Sequence, residues 1–289
     1  MDMRRFAATS IFCLMALLAT SAAAQDFTQG ARPAGLGQAY TAVGTGATGI
    51  YHNPAGIARA VMYSLEGTFE YTPEGSVLNV SVMDSKTNPN LAAGVGYSYF
   101  LGRGDSSDVN GHDIGLALAL PVLPDRISLG VGGRWIIATV DGVQVINQPT
   151  VSAGALFRVS DLFHLGLAGK NLVDVCSDGD VCGDVAPTLV AAGASVGDEI
   201  NYLISADLEM DLTSDPDAVA FNVDTGAEYV IGEIVPVRVG YQHKGVDSSN
   251  LITGGVGWRS NRAGVDAGFR INPADSSIFY AVASFSLYL

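Results

Sequence analysis

The chain has 289 residues, 48% of them hydrophobic and only 15% charged, with 15 Lys and Arg against 29 Asp and Glu, a formal net charge of −14. So acidic a chain is not built for nucleic acid, and it lacks the Lys and Arg clusters with which peripheral proteins hold an anionic lipid surface. A mean hydropathy of +0.29 is high for an exported soluble protein, yet beyond residue 24 no run approaches the ~20 apolar residues of a membrane-spanning helix.

Arg4 and Arg5, an apolar run over 11–19 and the small residues Ala22, Ala23 and Ala24 read as a secretory signal peptide over 1–24, with the mature chain starting at Gln25. Its removal takes the net charge to about −15. Cys13 lies inside the apolar run with no lipid-attachment pattern around it. Residues 25–59 follow, and within them "GLGQAYTAVGTGATGIYHNPAGIA" (35–58) is almost uncharged, rich in glycine and without helical or strand period. Asn53 before a proline is pushed toward extended geometry, its side chain can accept from a following N–H, and Pro54 suits the first position of a helix over 54–60. Gly35, Gly37, Gly44, Gly46 and Gly49 allow close approach to a wall or positive φ, or simply give flexibility. With so few charges the segment is expected to be buried rather than solvated.

From residue 60 apolar side chains recur at period two in segments of about ten, the pattern of a transmembrane β-barrel. Over 61–71, Val61, Tyr63, Leu65, Phe69 and Tyr71 alternate with Ser64, Glu66, Thr68 and Glu70. Further strands are read at 76–83, 91–101, 112–121, 126–139, 147–159, 162–172, 188–197, 201–210, 217–230, 235–244, 250–259, 263–271 and 278–289, fourteen in all. An even count keeps both termini on one side of the membrane. Alternate links (84–90, 122–125, 160–161, 197–201, 232–234, 260–262) are mostly short. The others (102–111, 140–146, 173–186, 211–216) are longer and more acidic, apart from a tight 72–75. The fold class expected is therefore an all-β, fourteen-stranded antiparallel transmembrane barrel over 60–289 in a bacterial outer membrane.

The lumen face on this register carries Glu66, Glu70, Asp207, Glu209, Asp224, Glu228 and Asp266, with Arg134, Arg158, Arg238 and Arg270 as countercharges. Buried charges need partners, so ion pairs tying wall and N-terminal segment together are one reading of them. The other is a ligand path, whose apolar lining would come from Leu36, Tyr40, Val43, Ile50, Tyr51 and Ile57.

Fourteen strands behind an irregular segment ending in Asn-Pro-Ala resemble the FadL-like outer-membrane transporters of hydrophobic compounds. In that family a hatch fills the lumen, and Gly35-Leu36-Gly37, Tyr40 and Asn53-Pro54-Ala55-Gly56 look like the hatch motif. "LPDRISLGVGGRW", "LFHLGLAGKNL", "ADLEMDL", "GAEYVIGEIVPVRVGYQ" and "GGVGW" are similar to the PorV branch, which includes shuttle proteins of type IX secretion. The resemblance implies passive transport of small hydrophobic molecules, with a secretion platform or a scaffold barrel without cargo as alternatives. Expected partners are outer-membrane lipids and either a hydrophobic ligand or a secreted protein.

Cys176 and Cys182, the two cysteines left after the signal, are expected to form a disulfide in an outer loop. The same loop holds Asp174, Asp178, Asp180 and Asp184 without the spacing of an EF-hand, so a solvated acidic loop is preferred to a calcium site. His52, His112, His164 and His243 are scattered without zinc-ligand spacing, and no Ser, His and carboxylate set marks a catalytic site. No metal, cofactor or enzymatic activity is expected. The chain ends "FYAVASFSLYL", with Leu289 where such barrels end in an aromatic.

Overall fold

The computed structural model describes residues 30–104, 109–173, 186–215 and 218–289. The expected signal peptide, residues 25–29 of the segment that follows it and the Cys176–Cys182 loop with its four aspartates lie outside the described residues. Fourteen strands, β1 (Tyr63–Tyr71), β2 (Gly75–Asp84), β3 (Ala92–Gly102), β4 (Val109–Leu123), β5 (Ile127–Val140), β6 (Val143–Arg158), β7 (Phe163–Lys170), β8 (Leu189–Gly197), β9 (Tyr202–Asp211), β10 (Ala220–Ile231), β11 (Val235–Lys244), β12 (Ser249–Arg259), β13 (Ala263–Asn272) and β14 (Asp275–Tyr288), form a closed barrel. Each strand pairs antiparallel with its sequence neighbours, and β1 with β14 closes the ring over Ser64↔Tyr288 to Tyr71↔Ala281. Closure leaves no unpaired edge, the condition for crossing a bilayer with strands.

The alternation sorts side chains between the faces. Val80, Val95, Leu116, Val131, Ile204 and Val239 point outward and are 46–60% exposed. Thr68, Asn79, Asp207, Arg238 and Arg270 point inward and are buried. No helix among the described residues is long and apolar enough to cross a membrane. The near end of the barrel is where β1 begins and the chain finishes, with the Leu289 N–H on the Tyr63 carbonyl at 2.9 Å.

Some boundaries differ from the periodic reading. The expected 140–146 link is only Asp141-Gly142, with φ of 52° and 74°, an Asp-Gly pair suited to a two-residue hairpin turn. β6 therefore starts at Val143 rather than 147, and β4 and β14 likewise begin three residues earlier than read. Within the β6 extension the pairing with β5 shifts register between Ala138 and Thr139, so strict alternation is broken there although the ladder continues. Pro121, which cannot donate to a ladder, sits at a register shift between Pro121 and Leu123.

Candidate functional site

Residues 30–62 enter the near end and run round the inside of the wall. Helix α1 (Ala31–Gly35) packs on β11 to β14, α2 (Gly49–His52) on β3 and β4, and the 3₁₀ turn Pro54–Ala58 on β3 to β6. Between the helices, Thr41 and Ala42 lie against Gly166 of β7, and Thr41 also against Gly193 of β8. The Asn53 side chain accepts from the Ala55 N–H at 3.1 Å and Pro54 opens the turn. The element is a 3₁₀ turn ending at Ala58 instead of a helix to residue 60.

Close packing is possible because the wall carries glycine where the segment's backbone comes nearest to it. Five cross-strand glycine pairs, Gly96↔Gly115, Gly130↔Gly154, Gly166↔Gly193, Gly226↔Gly240 and Gly255↔Gly268, place lumen-facing glycines on ten strands. A methyl group at Gly130 would fall on the Ala55 backbone, at Gly154 on the Asn53 side chain, at Gly166 on the Thr41 carbonyl and at Gly226 on Leu36. Sequence reading assigned roles to the segment's own glycines and missed this wall belt. Its signal was a glycine near the middle of most strands at a lumen-facing position.

Hydrogen bonds pin the segment to strand after strand. Asn53, wholly buried, donates to the carbonyls of Thr41 (2.8 Å), Ala155 (3.4 Å) and Leu167 (3.3 Å). Asp207 Oδ2 accepts from the backbone N–H groups of Tyr40 and Thr41 at 2.8 and 2.7 Å. Asn79 donates to Tyr51 Oη at 2.7 Å, seating that ring over Gly96. Ser128 donates to Ala55 O, Thr253 to Gly35 O, and Ser284 Oγ accepts from the Ala31 N–H. Gly37 (φ 62°) lies against the backbones of Thr225 and Tyr241, and Gly56 packs on Gly44 (φ 52°).

The six apolar residues offered as a ligand lining are at most 8% exposed. Leu36, Tyr40 and Val43 pack with Leu203 of β9. Ile50, Tyr51 and Ile57 pack with Met83, Ala92, Ala117 and Ala119 of β2 to β4. In this arrangement they fill the gap between segment and wall. Two grooves of about 460 and 450 Å³ lie instead mainly along outward-facing side chains, one beside Tyr63, Val95 and Leu118 and one beside Tyr202, Tyr229 and Val239.

The lumen charges form two layers. Toward the near end, Arg32 bonds Glu228 at 2.9 and 3.1 Å and Glu199 at 3.1 Å, and Arg238 bridges Glu228 and Asp266 at 2.5 Å each. Glu66 accepts from Thr68 Oγ1 at 3.4 Å. Toward the far end Arg134 pairs with Asp113 and reaches Asn171 at 3.0 Å, Lys170 pairs with Glu209 at 2.6 Å, and Arg270 meets Gln242 at 3.1 Å and Glu70 at 3.6 Å. Asp224 is buried in the same far half, opposite Asp207. Arg158 corrects the expectation: it stands at the near mouth, 40% exposed, and pairs with Asp161 of the adjoining turn at 3.2 Å. Strand alternation gave its face correctly but not its height, and the last residue of a strand lies beyond the lumen's packed interior. Arg32, Asp113, Lys170 and Glu199 are partners that the sequence reading did not single out.

In the near-end β8–β9 turn, burial opposes ionisation of Glu199, but the Arg32 and Arg59 charges outweigh it and hold the carboxyl below its usual value. Burial draws the Arg59 guanidinium below its own usual value. Arg59 donates to the Ala42 and Val43 carbonyls at 3.2 and 3.1 Å and lies 3.3 Å from His164 Nε2.

No protein-family model and no curated protein sequence matches the chain. Solved structures do match in fold. The Ralstonia pickettii toluene transporter TbuX superposes with a TM-score of 0.64 at 13% identity, over 90% of this chain and 97% of that one. The Pseudomonas putida toluene transporter TodX gives 0.63 at 8% identity over 92% and 98%. A Pseudomonas aeruginosa FadL homologue gives 0.55 at 11% over 89% and 97%. At such identities the likeness is one of barrel fold.

Proposed function

We propose that this chain is a bacterial outer-membrane barrel that passes small hydrophobic molecules passively, with residues 1–24 as a cleaved signal peptide and 25–59 as a hatch. On this reading the near end faces the periplasm and the far end the cell exterior. The observation that carries it is the seating of residues 30–58 on the glycine belt, inside a barrel whose fold is shared with two toluene transporters. Because nearly every lumen-facing group is packed or paired, passage requires the hatch to shift, and Leu36, Tyr40, Val43, Ile50, Tyr51 and Ile57 are the apolar surface that a shift uncovers.

A second reading, a scaffold barrel that presents its outer loops to a partner and carries no cargo, is favoured by the ion pairs that join Arg32 to buried Glu228 of β10 and to Glu199 of the near-end turn. Uptake separates the two. In cells lacking their own barrels for hydrophobic compounds, the intact chain should raise the initial rate of radiolabelled toluene uptake, and deletion of residues 30–58 should also admit small polar solutes. A deletion that opens the pore, combined with no toluene uptake by the intact chain, leaves the scaffold reading standing.

A further inference from the structure

The far end of the barrel turns almost all of its positive charge inward. Arg134, Lys170 and Arg270 pair with lumen carboxylates, and Lys244 lies over the lumen-side Tyr280 ring at 5.9 Å. Arg103 is the exception. Its guanidinium lies over the outward face of Tyr71 at 4.3 Å and donates to outward-facing Ser76 Oγ at 2.8 Å, and no described carboxylate pairs with it. Its backbone N–H on the Glu74 carbonyl at 2.7 Å fixes the chain at this point.

The neighbouring strands extend the same outward platform. Register aligns Tyr71 with Ser76 and Ser76 with Leu101, and the next row inward aligns Leu78 with Tyr99 and Tyr99 with His112. Tyr97 Oη lies 2.8 Å from His112 Nδ1, and the Tyr99 ring is 5.0 Å from the imidazole. Below His112, β4 turns Ile114, Leu116, Leu118 and Leu120 outward, each at least 43% exposed. His112 therefore marks the boundary of the apolar band, with Arg103 one level above it. Ionisable side chains on a lipid-facing surface are costly and call for a partner at the headgroup level.

We propose that Tyr71, Ser76, Arg103, Tyr97, Tyr99 and His112 form a binding platform for the phosphorylated saccharide headgroup of lipopolysaccharide in the outer leaflet. Arg103 meets a phosphate; the tyrosine hydroxyls and His112 hydrogen-bond the sugar. The proposal rests on the outer-membrane placement given above. Charge selects the occupant, because a chain of net charge −14 repels a polyanionic lipid except where a cation that no described carboxylate neutralises faces outward.

The test is native mass spectrometry of the detergent-extracted full barrel with diphosphoryl lipid A, beside Arg103→Gln, His112→Gln and Arg262→Gln, the last in the opposite, near-end turn. Retained lipid A should fall about fivefold in Arg103→Gln, in keeping with one basic residue at an anionic lipid surface, and less in His112→Gln. Arg262→Gln should match the wild type, and dephosphorylated lipid A should bind the wild type as weakly as diphosphoryl lipid A binds Arg103→Gln. Equal retention by wild type and Arg103→Gln overturns the site, as does displacement of lipid A by millimolar inorganic phosphate, which would make it a free-anion site. Fractionation of the same strains separates the premise: a barrel in the outer-membrane fraction with unchanged lipid retention defeats the platform alone, while absence from that fraction defeats the placement and the platform with it.

Discussion

Replacing Arg32 by Gln tests whether charge holds the N-terminal segment in the lumen. The change removes two contacts to Glu228, at 2.9 and 3.1 Å, and one to Glu199 at 3.1 Å. Orphaning a buried charge costs about 3–5 kcal/mol, but Glu228 keeps Arg238 as a partner, so that full cost does not apply. The Glu199 contact is discounted because its side chain is 33% exposed and screened by solvent. What remains is the charge-assisted pair to Glu228, about 2 kcal/mol, and ~2 kcal/mol moves a seated-to-released ratio about 30-fold. In planar bilayers the variant should therefore show opening events roughly 30 times as often as the wild type. Glu228→Gln, which leaves Arg32 and Arg238 both without that carboxylate, should exceed it. Identical opening frequencies in wild type and Arg32→Gln would refute the argument that this ion pair seats the segment.

Asn53→Asp, isosteric but with an oxygen facing the carbonyls of Thr41, Ala155 and Leu167, should unseat the segment more than Asn53→Ser, read as protease cleavage within residues 30–60 of the inserted barrel. Gly130→Val places atoms on the Ala55 backbone and should cost about 1–3 kcal/mol of overpacking; Gly67→Val on β1, where nothing lies within 4 Å, is the control and should leave conductance unchanged. Acid should act through Glu199. Its carboxyl is depressed in the folded protein, so its contribution is present above the unfolded value of 4.5 and is lost as pH falls through the folded value. Openings should become more frequent below pH 4.5, and Glu199→Gln should remove that part of the pH dependence.

The fourteen strands were legible because an apolar outer face and a packed polar lumen impose period two on nearly every segment, as Phe69, Thr68 and Glu70 illustrate. The boundary failures have local causes. At Val143–Ile146 of β6 a register shift against β5 breaks the period, and only the Asp141-Gly142 turn marks the hairpin. The candidate site was half legible. Asn53-Pro54 announced its own turn, and inward charges such as Glu228, Arg238 and Asp266 were assigned to the right face. Their partners were not, because Arg32 to Glu228 spans 196 residues and a ring of fourteen strands brings together positions that periodicity treats as unrelated. Arg158 shows the same limit, since alternation fixes a side chain's face but not its depth along the axis.

The glycine belt explains why a segment without secondary-structure period is nonetheless held so firmly. A small barrel normally fills its interior with its own side chains, and inward glycines on ten strands would leave a void and weaken the ladders. Here the void has the shape of a backbone. Residues 31–58 supply the missing atoms, with Leu36, Thr41, Asn53, Ala55 and Tyr51 each set on a glycine or a glycine pair. The wall and the segment are then one core in two parts, and their tolerance to change should be reciprocal. A bulky residue on the belt should be rescued by a smaller one opposite it, so that Gly96→Ala, which would strike the Tyr51 ring, should be tolerated in a Tyr51→Leu background although it unseats the segment alone. Independent, additive effects of the two substitutions on opening frequency would mean that the segment merely rests in the barrel.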